Sequence, residues 1–248
     1  MTKARFYGYP LPGCEDSDQD LPGRLIVVEG TDGVGRSTQI ALLKEWLEAS
    51  GYAVMGTGLK RSLLAGNAIK TAMTGHTMGD TTMFLFYATD FADRLQRDIL
   101  PALRAGFVVL TDRYIYSIIA RAQVRGVDPA WIRNLLRFAL VPDLVFYLHA
   151  DLPHLIPRVL NVRGFDYWES GMDFLRGDDY YDCYVEYQTR LLAQFDSIAE
   201  EFGFRRVDAT RSIYSIFCDL QSGIREALGE MKPMSFPQAR AAVIESED

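Results

Sequence analysis

The chain has 248 residues, 48% of them hydrophobic and 24% charged, a globular composition that excludes wholesale disorder. Its 33 acidic residues outnumber 26 basic ones for a net charge of −7, which argues against broad nucleic-acid binding but not against a local basic pocket. No apolar run approaches the roughly 18 residues that span a bilayer, so no membrane contact is expected. The first twenty or so residues lack an apolar h-region and predict a tether or partly ordered arm, with no signal peptide. Cys14, Cys183 and Cys218, like His76, His149 and His154, form no C-x-x-C or H-E-x-x-H set. Neither a disulfide framework nor a His-based metal site is expected, and the default location is cytoplasmic.

Strand-like and helix-like runs alternate, the βαβ pattern of a parallel sheet covered on both faces. The run Arg24-Leu-Ile-Val-Val-Glu29 is short, apolar and β-branched, as a central parallel strand should be. A Gly-rich turn leads into a helix over 37–50 with Ile40, Leu43 and Leu47 on one face and Gly51 as C-cap. A strand is expected over 52–55, a weak helix over 60–75, and a long helix over 82–104. Residues 107–112 read as a buried strand, and Asp128-Pro129 opens a helix over 128–138. A fourth strand over 144–148 precedes a helix over 152–161 that Pro157 should bend. Residues 163–184, rich in Gly, Asp and aromatics and poor in periodicity, read as a lid. A helix over 184–202, a fifth strand over 205–208 and a helix over 213–229 follow. The expected organisation is an extension 1–23, one α/β domain 24–229, and a loose tail 230–248.

The first strand runs into Gly30-Thr-Asp-Gly33-Val34-Gly35-Arg36-Ser37-Thr38. This is the spacing of the P-loop G-x-x-x-x-G-K-[ST], with Arg36 in place of lysine. Glycines at 30, 33 and 35 allow positive φ and close backbone approach, so successive N–H groups converge on phosphate oxygens. The following helix points its positive dipole end at the same spot, and the Ser37 hydroxyl reaches toward a phosphate-bound Mg²⁺.

With Val-Glu29-Gly-Thr-Asp32-Gly-Val-Gly-Arg-Ser-Thr-Gln39, the run from Leu85 to Asp90, and Asp112-Arg113-Tyr114 with Ser117, the chain resembles the thymidylate kinase family of nucleoside monophosphate kinases. The resemblance implies a P-loop NTPase fold, a doubly wound five-stranded parallel sheet with helices on both sides and a short lid. It also implies a homodimer and phosphoryl transfer from ATP, with Mg²⁺, to a nucleoside monophosphate, dTMP first. Carried over by position, Gly30, Gly33, Val34, Gly35, Arg36, Ser37 and Thr38 hold ATP, and Ser37 and Asp112 hold the metal. Arg113 grips the acceptor phosphate, Asp32 approaches the sugar, Tyr87 stacks on the base, and Ser117 belongs to the substrate motif. Arg163, followed by Gly164 as in the family's R-G, brings lid charge to the catalytic set of Arg36, Asp112 and Arg113. Arg158 is a second lid arginine, and residues 208–211 resemble the adenine loop. The alternatives are Asp112 as a cap, Arg113 as a surface ion pair, Asp32 as an Asx-turn residue, Tyr87 as a plain core aromatic, and Arg158 and Arg163 as solvated arginines.

Four departures from the family pattern bear on the substrate. Arg36 replaces the phosphate-binding lysine. Phe91 stands where the family has an arginine, with Arg94 a turn later as a substitute acceptor contact. Arg121 replaces a tyrosine that the family uses against ribose. Lys60 and Arg61 lie where the family has E-P-G-G-T and offer replacement phosphate contacts. The guanidinium at 36 is longer than an ammonium and planar, so it is expected to displace metal-bound water or to swing outward. Two other functions stay open: a P-loop kinase of another phosphorylated or acidic small molecule, and a nucleotide-binding regulatory module without turnover.

Overall fold

A computed structural model describes residues 2–3, 5–12, 14, 20–75, 78–162, 164–175, 177 and 179–233. Five strands form the main sheet: β1 (Arg24–Glu29), β2 (Val54–Gly58), β3 (Val108–Asp112), β4 (Leu144–His149) and β5 (Arg205–Asp208). All pair in parallel in the order β2-β3-β1-β4-β5, the expected doubly wound arrangement. The order reverses at β1, so the crevice for ligands opens at its carboxyl end, beside β3 and β4.

The helices are α1 (Arg36–Ala49), α2 (Gly66–Thr74) and α3 (Asp80–Arg94), the last continuing through a π-helical turn at Leu95–Ile99 into α4 (Leu100–Arg104). They are followed by α5 (Ile115–Val124), α6 (Pro129–Leu135), α7 (Leu152–Val162), α8 (Tyr180–Phe202) and α9 (Ile213–Leu228). Alternation along β1 divides the core in two. Leu25 and Val27 join Phe84, Phe91, Ile119, Leu191 and Phe195 on the α3–α5–α8 side. Ile26 and Val28 join Leu43, Leu47, Leu220 and Ile224 on the α1–α9 side. Both faces are therefore buried, which is why β1 reads as an unbroken apolar run. Each such side chain contributes about 1.5–3 kcal/mol relative to exposure.

Element boundaries move where caps decide them. β2 starts two residues late because the Tyr52 amide still closes α1 on the Leu47 carbonyl at 3.0 Å, with Gly51 at φ +85°. α8 starts at Tyr180 rather than 184, because the Asp179 carboxylate accepts from the Tyr181 and Asp182 amides at 2.6 and 3.1 Å. Asp128 caps α6 through the Trp131 amide at 2.7 Å, as its position predicted, although the helix ends at Leu135. The described part of the N-terminal arm is docked. Thr2–Lys3 pairs with Asp20–Leu21, Phe6 bridges Leu140, and the Tyr7 ring meets Phe202 edge-on at 5.6 Å. Cys14 and Cys183 are buried and Cys218 is half-buried. Among the described residues no helix is long and apolar enough to cross a membrane, and no group of three His, Cys, Asp or Glu could hold a metal. His76 lies outside the described residues.

Candidate active site

The P-loop leaves the carboxyl end of β1 through Gly30, at φ +145°, where a Cβ would lie 2.5 Å from the Leu148 carbonyl oxygen. Only glycine fits so close to β4. Gly33 and Gly35 take φ +79° and +98°, and a Cβ on Gly35 would meet nothing within 4 Å. The loop is thus open on the side where a phosphate cradle needs space. Val34 anchors it in the core, while Ser37 and Thr38 are exposed at the start of α1. Ser37 Oγ donates to Asp112 Oδ2 at 3.4 Å, which sets a hydroxyl and a carboxylate oxygen side by side. Two hard oxygen ligands beside a phosphate cradle suit Mg²⁺, which takes its remaining ligands from phosphate and water.

Arg36 does neither of the things expected of it. Its side chain folds back beneath the loop and is buried. Nε donates to Asp112 Oδ1 at 2.7 Å, Nη1 donates to the Gly30 and Thr31 carbonyls, and Nη2 lies 3.6 Å from Asp32 Oδ1. The cause is the acceptor set: a planar fork of five N–H donors finds two carbonyls and two carboxylates on the inner side of the turn. Burial opposes the charge on Arg36, but Asp112 and Asp32 outweigh it and keep the group protonated. Burial likewise pushes the Asp112 carboxyl up, and Arg36 and Arg113 more than reverse that, holding it below the usual carboxylate range.

On the other side of the loop Asp32 is gripped by two arginines. Arg113 Nη2 donates to Oδ1, and Arg121 Nη2 donates to Oδ2 at 2.8 Å. Arg113 has φ +70° and Lys60 has φ +62°, the two non-glycine residues with positive φ among those described. Such a conformation costs roughly 1–2 kcal/mol and persists because neighbours impose it. The Arg113 amide donates to Val28 at 3.0 Å, and its carbonyl accepts from Thr111 Oγ1 at 2.7 Å. The Lys60 and Ser62 amides donate to the two oxygens of Asp90 at 3.0 and 2.9 Å.

Two expected acceptor contacts belong to the supporting layer instead. Arg94 is 1% exposed; its Nε donates to Asp90 at 3.0 Å and its guanidinium lies over the Phe91 ring. It neutralises the buried carboxylate that shapes the Lys60 turn, and its Nη2 has no hydrogen-bond partner among the described residues. Ser117 is fully buried and donates to Glu29 Oε2 at 2.6 Å. Glu29 Oε1 accepts from the Tyr114 and Ser117 amides at 2.8 and 3.2 Å, so the end of β1 caps α5. Burial raises the Glu29 carboxyl.

Tyr87 does face a cavity. A small, partly open cavity is lined by Met73, Met83, Phe84, Tyr87 and Trp168, with Arg121 and Arg125 completing the wall. Trp168 Nε1 donates to the Met73 carbonyl at 3.0 Å. Arg125 donates to both oxygens of Asp173 at 2.6 and 3.0 Å, to Tyr187 Oη at 3.0 Å and to the Trp168 carbonyl at 3.3 Å, tying the 164–175 segment to α5. Arg158 Nη1 donates to the Ala209 carbonyl at 3.0 Å, reaching the 208–211 loop. Arg163 lies outside the described residues. Asp90 and Arg125 escaped the sequence reading. Asp90 had a signal, since it pairs i,i+4 with Arg94 on the buried stripe of α3. Arg125 had none, because its partner Asp173 is 48 residues away.

A family model described as thymidylate kinase matches residues 28–168, which hold the loop, the Arg113 turn and the cavity. The chain belongs to the thymidylate kinase family. It is 37% identical over 212 residues to a protein named probable thymidylate kinase 2 from Saccharolobus solfataricus, covering 85% of this chain and 97% of that one. A probable thymidylate kinase from Thermococcus gammatolerans is 35% identical over 208 residues, 80% and 94% of the two chains. A thymidylate kinase from Bifidobacterium longum is 32% identical over 216 residues, 83% and 99%. Arg36, Phe91 and Arg121 all fall inside the matched thymidylate kinase span.

Proposed function

We propose that this protein transfers a phosphoryl group from ATP to thymidylate, giving ADP and dTDP. The observation that carries this is one juxtaposition: the aromatic cavity around Tyr87 adjoins the Asp32–Arg113–Arg121 cluster, which meets the P-loop through Asp32 and Arg36. The amides of 33–38 hold ATP phosphates, with Ser37 and Asp112 on Mg²⁺, which when bound supplies charge neutralisation for the transfer. Arg113 grips the acceptor phosphate, Tyr87 flanks the base, and Arg36 orients Asp112. Arg163, in a lid over 163–179 ahead of α8, adds charge while the lid excludes water that would hydrolyse ATP. The reading places the protein in the cytoplasm, without nucleic acid or membrane as partner.

A coupled ADP-release assay across the nucleoside monophosphates tests it, with dTMP expected to show the highest kcat/KM. No ADP above the acceptor-free rate with any of them would overturn the kinase and favour a regulatory module. We also propose a homodimer through α3. The apolar run there is largely used by the core, but Leu85 remains 45% exposed. Light scattering is expected to give twice the 28.0 kDa chain mass, and a monomer at micromolar concentration would refute the dimer.

A further inference from the structure

Lys60 follows β2 on a turn whose left-handed backbone is imposed by the Asp90 carboxylate. Its ammonium lies 3.8 Å from the Met73 thioether, and it forms no ion pair among the described residues. The charged groups facing it are Arg121 on α5, Arg113 after β3, Asp32 of the P-loop and Glu169 of the lid segment. Asp32 is already held by Arg113 and Arg121. Burial, then Arg121 and Arg113, lower the Lys60 ammonium to about 8. With burial and two arginines outweighing Asp32 and Glu169, an ammonium beside a thioether adds nothing to the stability of the free protein. It is explained by an anion that completes the set.

We infer that Lys60 is a ligand of the acceptor's phosphate dianion, closing with Arg113 and Arg121 a three-cation site around Asp32. The placement favours the acceptor over ATP, because Met73 and Arg121, the neighbours of Lys60, both line the aromatic cavity. A compact ammonium also accepts phosphate oxygens without the planar match that an arginine requires. The inference rests on the proposed function only in naming a nucleotide as the acceptor.

The test is calorimetric binding of dTMP to the full chain at pH 7 and pH 9, for wild type, Lys60→Gln and Lys60→Arg. Both variants keep a non-glycine residue in the left-handed turn, so backbone strain is common to all three. Lys60→Gln is expected to bind dTMP at least tenfold more weakly at pH 7, with ATP affinity within twofold of wild type. Holding the dianion requires the charged ammonium, so above the free-protein value of about 8 binding must take up a proton. Wild-type affinity should therefore fall about tenfold from pH 7 to pH 9, whereas Lys60→Arg, charged throughout, should lose less than twofold. Equal dTMP affinity in wild type and Lys60→Gln, or the same pH loss in all three proteins, overturns the inference. If dTMP binding depends on Lys60 but no ADP is formed, the inference stands and the kinase reading fails. If ADP is formed with Lys60-independent affinity, the reverse holds, and no dTMP binding at all sinks both.

Discussion

Replacing Arg36 with lysine is expected to raise the single-turnover rate by at least about tenfold, equivalent to about 1.4 kcal/mol of transition-state stabilisation. In the wild-type protein the guanidinium joins Asp112 Oδ1 to the Gly30 and Thr31 carbonyls. One oxygen of the carboxylate that faces Ser37 is thereby engaged, and the loop's only full positive charge points inward. A lysine is shorter and carries one nitrogen, so it cannot satisfy Asp112 and both carbonyls together. It frees Asp112 for the Ser37 side and brings a compact charge that can follow the transferring group. The measurement is a single-turnover comparison at saturating ATP, Mg²⁺ and dTMP. An equal or lower rate in Arg36→Lys would mean that the loop has adapted to the guanidinium and that its inward grip on Asp112 serves the reaction.

Removing the Asp90 carboxylate is the other substitution with a large expected effect. Asp90→Ala should destabilise the fold by about 3–5 kcal/mol, the usual range for stranding one member of a buried ion pair. It leaves Arg94 charged at 1% exposure and takes the acceptor away from the Lys60 and Ser62 amides. For a chain of this size each kcal/mol lowers Tm by roughly 2–4 °C, so thermal melts should fall by on the order of 6–20 °C. Adding Arg94→Met removes the stranded charge and should restore much of the loss, because a hydrophobic replacement of a whole buried pair is often neutral. Acceptor affinity should not return, since the Lys60 turn still lacks its anchor. A drop in Tm below about 2 °C in Asp90→Ala would show that the pair does not carry the loop.

The parts of this molecule that were legible from sequence are those set by short-range geometry. The P-loop announces itself because its turn needs glycine at 30 and 33, and β1 announces itself because two buried faces demand an unbroken apolar run. The direction of the Arg36 side chain was not legible. It is set by Asp112, 76 residues away, and by carbonyls that turn inward only once the loop is folded. The family motif points Arg94 and Ser117 to the acceptor, yet each lies on a helix stripe whose neighbours are core residues. Arg94 shares the stripe with Phe84, Tyr87 and Phe91, and Ser117 sits among Ile115, Ile118 and Ile119. The stripe alone does not decide the role, since Tyr87 shares it and still lines the cavity; the partners Asp90 and Glu29 do. The tie between Arg125 and Asp173 had no such precursor, because no local rule links α5 to a turn 48 residues later.

The left-handed backbone at Lys60 sets selection for thermal tolerance against recognition of the acceptor. Glycine at 60 would relieve roughly 1–2 kcal/mol of backbone strain without breaking an ion pair to a described residue. It would also delete a cation that faces Asp32. A library ranked by melting temperature would therefore enrich glycine at 60, and its most heat-resistant members would be among its poorest binders of a phosphorylated acceptor.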